Sequence, residues 1–360
     1  MSLAPGAAPA LEIAGRSIGP GFEPYVVCEL SGNHNGSLER ALAMIDAAAA
    51  TGCDAIKLQT YRPETITLDC DGPGFRIEAG PWAGRTLFDL YAEAHTPYEW
   101  HGALFERARR RGVTLFSTPF DASAVELLES LGAPAYKIAS FEAIDLPLIQ
   151  RVARCGKPVI ISTGLASLAE MEEALATARD GGAAGVALLH CVSAYPAPVE
   201  EANVRTVPDL VRRFGVVAGL SDHTPGSAAA VAAVALGAAI IEKHFTLARA
   251  DGGPDAAFSL EPPEFAALVR DCKDAWRALG SATYDQLGAE RAAAPHRRSL
   301  YVAAPVRAGE ALTARNVRSV RPGFGLAPKH LPQVLGRRAA RDLSPGEPFA
   351  WSMLAEIPPR

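Results

Sequence analysis

No run of about 18 consecutive apolar residues occurs in the chain, the length a helix needs to cross a bilayer, so no membrane span is expected. The N-terminal Ala/Pro/Gly stretch lacks a basic start and a continuous apolar core, which argues against a signal peptide. Positive charge is scarce: 35 Lys and Arg stand against 40 Asp and Glu, for a net charge of -5 and an isoelectric point near 5.9. Affinity for a phosphate backbone comes from dense basic patches, so a nucleic-acid partner is not expected, and cations serving any anionic ligand have to be local. Cysteine is unpatterned. Cys28, Cys53, Cys70, Cys155, Cys191 and Cys272 show neither C-x-x-C nor zinc-finger spacing, and Cys28 and Cys191 fall inside apolar runs where a thiol acts as a small apolar side chain. A reduced, cytoplasmic protein is expected. Also missing are a G-x-S-x-G elbow, a P-loop and a G-x-G-x-x-G turn, which removes the main support for hydrolase, NTPase and dehydrogenase readings.

What the chain has is alternation. Its 360 residues, 49% of them hydrophobic, exceed one ordinary core, so a large domain of roughly 250 residues plus a small one is expected. Short Val/Ile/Leu-rich runs recur at 25–31, 54–60, 113–119, 135–140, 158–164, 185–191, 217–223 and 240–244. Continuous apolar character over such lengths marks parallel strands buried on both faces. Helical patterns separate them: one from about residue 37, with Ser37 as candidate N-cap, then 97–111, 122–131, 146–154, 168–179, 227–236 and 262–279. Eight strand–helix units predict a (β/α)8 TIM barrel with its chemistry at the strand C-terminal ends. A doubly wound open sheet ranks lower, because no Gly-rich phosphate turn follows the first strand. The excursion over 61–96 is long enough to be a functional loop or a local subdomain. The expected partition is a lead segment over 1–24, a barrel domain over 25–282, a linker over 283–296 and a small, mostly β, Arg-rich domain over 297–360.

Each strand-like run ends in chemically capable residues, so one rim should carry Lys57, Gln59, Thr118, Lys137, Ser140, Glu142, Ser162, Tyr195, Asp222, His223 and His244. Lysines in buried strands must be paired or await an anion, and two on one rim with Thr118, Ser140 and Ser162 favour an anion site. A lone histidine is more often structural than a ligand. His223 and His244 end neighbouring strands, however, and two imidazoles that leave most positions open suit Mn2+ or Mg2+ better than a closed zinc site. Such a rim suits a phosphorylated acid and a divalent metal. Glu29 and Glu142 are candidate acid/base groups, although a structural pair with a lysine is as good a reading. Asp222 and Asp255 are candidate carboxylates beside metal or substrate, against loop capping as the plainer role. Asn33-His34-Asn35-Gly36 reads as a turn.

Several segments resemble the sialic acid synthase family, and most of all its pseudaminic acid branch: Cys28-Glu-Leu-Ser-Gly-Asn-His-Asn-Gly-Ser37, Tyr136-Lys-Ile-Ala-Ser-Phe-Glu142, Gly219-Leu-Ser-Asp-His-Thr224, Glu242-Lys-His-Phe-Thr246 and Gly253-Pro-Asp255. Arg298-Ser-Leu-Tyr301 and Arg318-Ser-Val-Arg-Pro-Gly323 resemble the antifreeze-like domain that ends these enzymes. The resemblance implies condensation of phosphoenolpyruvate with an N-acetylated amino sugar, giving a nine-carbon α-keto acid and phosphate. It implies that Lys57, Thr118, Lys137, Ser140, Ser162, Ser193 and Ser221 hold phosphoenolpyruvate, that His223 and His244 hold the metal, and that Glu29 lies at the reacting centre. Gln59, Glu142, Tyr195 and Asp255 would contact the sugar, and Arg321 would reach it from a partner subunit in a domain-exchanged homodimer. Ser193 stands where sialic acid synthases proper carry Asn, which agrees with the pseudaminate branch and its substrate, 2,4-diacetamido-2,4,6-trideoxy-L-altrose. N-acetylneuraminate or legionaminate synthesis is the rival within the class. A non-catalytic carbohydrate-binding or ice-binding protein is the rival outside it.

Overall fold

The computed structural model describes residues 10–356 apart from 81 and 286, so residues 1–9 of the expected lead segment and 357–360 of the expected small domain lie outside the described residues. The chain divides into two compact units, the first ending at Gly280 and the second beginning at Ser281.

In the first unit a short antiparallel hairpin of β1 (Leu11–Ile13) and β2 (Arg16–Ile18) precedes eight parallel strands. These are β3 (Tyr25–Glu29), β4 (Ala55–Thr60), β5 (Thr114–Pro119), β6 (Tyr136–Ile138), β7 (Val159–Ser162), β8 (Val186–Cys191), β9 (Val217–Asp222) and β10 (Ile240–His244). They pair in chain order and β10 closes on β3, which is the TIM barrel that the alternation of runs predicts. Along each strand successive side chains point to opposite faces. One set, including Val26, Cys28, Ile56, Leu58 and Ile241, packs under the helices. The other, including Tyr25, Val27, Ala55, Phe116, Ile160, Leu189 and Ile240, fills the barrel floor with Leu11, Ile13 and Ile18 of the hairpin. The described part of the lead segment, from residue 10, is therefore part of the core: its alternating face packs with the bottom layer, and its three-residue strands are too short to declare a period in sequence.

Helices α1 (Leu38–Ala50), α2 (Pro63–Ile66), α3 (Leu87–Ala94), α4 (Tyr98–Arg111), α5 (Ala122–Ser130), α6 (Leu146–Ala153), α7 (Leu168–Asp180), α8 (Thr206–Phe214), α9 (Ala228–Ala235) and α10 (Pro262–Leu279) fill the connections. Their ends follow local chemistry. Ser37 accepts from Arg40 N at the start of α1, Asp121 caps α5, and Ser167 with Glu170 forms a capping box on α7. Helix α8 was not among the expected helices. Its pattern is broken by Pro208 and two terminal arginines, yet it buries Val207 and Leu210 and stops at Gly215 in the left-handed region. The 61–96 excursion contains α2 and α3.

The second unit has a core of its own, including Leu300, Val302, Val306, Val317, Leu343 and Phe349. Only β11 (Ser299–Val302) and β12 (Val317–Val320) pair as strands, and isolated bridges such as Val306 with Leu343 supply the remaining sheet-like pairing among the described residues. The expected linker is partly ordered, with helical turns at Gly288–Arg291 and Ala294–His296. No helix among the described residues is long and apolar enough to cross a membrane.

Candidate active site

At the top of the barrel the inward-facing positions change from aliphatic to ionic. Glu29, Lys57, Lys137 and Glu242 are almost wholly buried there. Lys57 Nζ lies 2.9 Å from Glu242 Oε1 and 3.1 Å from Glu29 Oε2, while Lys137 Nζ lies 3.6 Å from Glu242 Oε1. Four charges so close must set one another's ionisation. Burial works against the Glu242 carboxylate, but the Lys137 and Lys57 ammoniums hold its pKa at about 2. Burial also opposes the Lys57 cation, and two carboxylates outweigh it and raise its pKa. Lys137 has only the more distant Glu242, so burial prevails and its pKa falls to about 8. Burial raises Glu29 despite Lys57.

Hydroxyls ring this cluster. Ser221 Oγ donates to Glu242 Oε1 at 3.2 Å, Ser140 and Ser193 share a hydrogen bond of 2.8 Å, and Ser162 Oγ and Thr118 Oγ1 are buried with no partner. Orphaned buried hydroxyls beside an ammonium are what an anion with several oxygens would satisfy.

The two imidazoles meet at 5.4 Å between ring centroids. His223 Nδ1 sits 2.9 Å from the Val192 carbonyl, which can only accept, so the proton is on Nδ1 and the Nε2 lone pair is free. His244 Nδ1 is buried without a partner. Burial lowers both pKa values, that of His244 far below the usual imidazole range. Two neutral imidazoles with free lone pairs fit a divalent cation. Among the described residues no third His, Cys, Asp or Glu completes a three-donor group with them, so water and substrate oxygens would have to supply the remaining ligands.

The cavity lined by these groups has a volume of about 530 Å³. Tyr195 packs 4.4 Å from His223, 5.3 Å from Phe258 and 5.8 Å from Trp82. Gln59 Nε2 donates to Glu29 Oε1 at 2.9 Å and to Ser31 Oγ at 3.1 Å, and Ser31 donates on to Asp255 Oδ2. Burial lifts Asp255 to about 6, against the opposing hydrogen bonds from Ser31 and the Gly32 backbone. Burial lifts Glu142 to about 7, and its Oε2 is unpartnered. The Asn33-His34-Asn35-Gly36 segment is more than a turn. Asn33 Nδ2 donates to Phe245 O and Ser259 Oγ, both at 2.9 Å, and Asn35 Nδ2 to the carbonyls of Asp251 and Gly252. A Cβ at Gly253, whose φ is +124°, would stand 2.4 Å from Asn35 Oδ1, so this loop is locked where it presents Asp255.

Of the expected site residues, Lys57, Gln59, Lys137, Ser140, Glu142, Ser162, Ser193, Tyr195, Ser221, His223, His244 and Asp255 line the one cavity. Glu29 and Thr118 do not line it; Glu29 stands behind Lys57 and Gln59. Arg321 is exposed and belongs to the second unit. Asp222 does not join the rim as expected. It pairs with Lys243 Nζ at 2.6 Å and accepts from Thr224 N and Oγ1 at 2.9 and 2.8 Å, off the cavity. Alternation is the reason: Ser221, His223, Glu242 and His244 line the cavity, so Asp222 and Lys243 face the wall. The same rule, applied from His244, identifies Glu242, the hub carboxylate that sequence reasoning missed. Cys191, which its apolar run marks as core, also lines the cavity.

Known proteins share this arrangement of elements. The chain is 42% identical over 331 residues to the pseudaminic acid synthase of Helicobacter pylori, 91% of this chain and 96% of that protein. It is 42% identical over 326 residues to the pseudaminic acid synthase of Campylobacter jejuni serotype O:23/36, 90% of this chain and 94% of the relative. The crystal structure of N-acetylneuraminic acid synthetase from Leptospira borgpetersenii in complex with citrate superposes with a TM-score of 0.71 at 31% identity, covering 79% of this chain and 95% of that one. Residues 297–355 match the SAF domain. With residues 44–284 matching the NeuB family, the chain belongs to that family.

Proposed function

We propose that this chain is a pseudaminic acid synthase, joining phosphoenolpyruvate to 2,4-diacetamido-2,4,6-trideoxy-L-altrose to give a nine-carbon α-keto acid and phosphate. One observation carries the reading: a single cavity gathers two buried ammoniums, four serine hydroxyls of which Ser162 has no partner, and two neutral imidazoles, beside an uncharged-to-acidic wall suited to a sugar. The choice of branch rests on 42% identity to two pseudaminic acid synthases, against 31% to the N-acetylneuraminic acid synthetase.

Lys57 and Lys137 neutralise the carboxylate and phosphate of phosphoenolpyruvate, with Ser140, Ser162, Ser193 and Ser221 donating to their oxygens. Gln59, Glu142, Tyr195 and Asp255 orient the sugar so that its aldehyde carbon faces the phosphoenolpyruvate methylene. His223 and His244 would hold a divalent metal, Mn2+ or Mg2+, which would supply Lewis-acid polarisation of the aldehyde oxygen. The methylene carbon forms the new C–C bond as the aldehyde C=O π pair moves onto its oxygen, which takes a proton to become a hydroxyl, leaving cationic character at C2. Water adds to that carbon, and the tetrahedral centre then breaks its bond to the bridging oxygen, which departs with phosphate. Glu29, raised by burial, takes the proton of the incoming water through Lys57, which it contacts behind the cavity wall.

The second unit belongs to the proposal through Arg321, which reaches the sugar end of a partner subunit's barrel in a domain-exchanged homodimer. Supporting this, Phe141, Ile144 and Leu165, in the loops after β6 and β7, are 57%, 61% and 75% exposed, an apolar fringe unusual beside a polar cavity. Six free cysteines support a reduced cytoplasmic setting. The test is incubation with phosphoenolpyruvate and each of three sugars, the diacetamido-trideoxy-altrose, its legionaminate counterpart and N-acetylmannosamine. Phosphate release with a product of matching mass is expected for the first, and product from the others alone refutes the branch assignment.

A further inference from the structure

The cavity has two chemically opposite ends. Ammonium, hydroxyl and imidazole groups from the strand tips make one. The other comes almost wholly from the 61–96 excursion: Ile66, Ile77, Leu87, Leu90 and Tyr91, with Phe120 added from the loop after β5. A sugar hydroxyl turned towards such a wall is buried without a partner and is penalised. At the junction stands Glu142. Its Oε2 is buried and unpartnered, it shares the cavity lining with Tyr91, and its charge adds to burial in raising the Tyr91 phenol.

The lobe is held in place. Trp82 Nε1 donates to Pro254 O at 2.7 Å, and Tyr61 packs edge-on against Tyr91 and Phe120 at 5.7 and 5.2 Å. A Cβ at Gly32 would stand 3.0 Å from the Ala94 backbone, so α3 sits directly on the loop after β3. A preformed wall discriminates better than one that must order on binding.

We infer that this lobe, with Glu142 at its edge, is the specificity determinant for the sugar's far end: it takes a substrate bearing an acylamino group and a deoxygenated methyl carbon there. The amide N–H donates to the orphaned Glu142 oxygen, and the acetyl methyl and the terminal methyl lie against Leu87, Leu90 and Ile77. The assignment rests on the proposed function and deepens it. A pocket that gains a methyl group discriminates by about 10 to 200-fold, and an unpaired amide or carboxylate adds to that.

The experiment compares kcat/KM for 2,4-diacetamido-2,4,6-trideoxy-L-altrose and for N-acetylmannosamine, in the wild type and in Leu87→Asn, Ile77→Asn and Glu142→Gln. Calorimetric titration with phosphoenolpyruvate alone certifies that each variant is folded. A wild-type preference of about 100-fold or more is expected for the acylamino, deoxy sugar. Leu87→Asn and Ile77→Asn should each cut that ratio at least about tenfold, through KM for the first sugar, with phosphoenolpyruvate affinity unchanged. Equal wild-type kcat/KM for the two sugars, or variants that lower both in proportion, overturns this assignment alone. Turnover of neither sugar overturns both it and the function on which it rests.

Discussion

Replacing Lys243 by Met removes one half of a salt bridge whose side chains are both only 1% exposed. The ammonium contacts Asp222 Oδ2 at 2.6 Å and donates to the Thr224 carbonyl. Burial depresses the Lys243 pKa, and Asp222 is the main influence opposing that, so the pair is held by mutual neutralisation. Breaking a buried pair from one side costs about 3–5 kcal/mol, because the surviving charge is stranded. Here Asp222 keeps its hydrogen bonds from Thr224 N and Oγ1, which places Lys243→Met near the lower end, at about 3 kcal/mol. Lys243→Met/Asp222→Asn, which removes both charges, should recover at least half of that loss. The pair also bridges β9 and β10 immediately before His223 and His244, in register with each other, so a loosened pair lets the imidazoles drift. Urea denaturation gives the stability change, read from the midpoint at constant slope. A single-variant loss below about 1 kcal/mol, or a double variant less stable than Lys243→Met, refutes the reasoning.

Three further outcomes follow from the same geometry. The Glu142 pKa lies at about 7 in the folded chain against 4.5 ordinarily, so the group's stabilising contribution is present below about 4.5 and is lost as pH rises through 7. Over the same interval its ionised form becomes the sugar's acceptor, so KM for the sugar should fall as pH rises through 7, and Glu142→Gln should flatten both profiles. Exhaustive chelation should abolish turnover and addition of Mn2+ or Mg2+ should restore it; full turnover in metal-free protein removes His223 and His244 from their proposed role. Gly219→Ala places a Cβ 2.2 Å from the Ile240 carbonyl oxygen and 2.7 Å from Leu189 Cδ2, and should cost about 3 kcal/mol or more by thermal or urea melting, whereas a neutral outcome shows that the barrel wall yields there.

The barrel was legible because its eight strands are continuous apolar runs, and the cavity's lysines and histidines because each interrupts or ends such a run. What escaped lay where a local rule was not followed through. Within Glu242-Lys243-His244 only the histidine was assigned, although one inward imidazole dictates an inward carboxylate two residues earlier and a wall-facing lysine between. Asp222 was misplaced onto the rim by the same omission. The hairpin of β1 and β2 is too short to show a period, and its burial is a tertiary fact. Helix α8 is masked by Pro208, a residue tolerated only because it falls in the first turn. The apolar lobe was invisible for a different reason: Ile66, Ile77, Leu87 and Leu90 sit in a segment that reads as a loop, and only folding gathers them on one wall.

The most direct test of the central claim is calorimetric titration of phosphoenolpyruvate, without sugar, into the wild type, Lys137→Met and Lys57→Met. One site per chain is expected in the wild type, with affinity lower by about 10 to 150-fold when either ammonium is removed, the worth of a charge-assisted hydrogen bond of about 1.5–3 kcal/mol. Undiminished binding in both lysine variants would contradict it, because the anion would then be held somewhere other than at the barrel's ionic top layer.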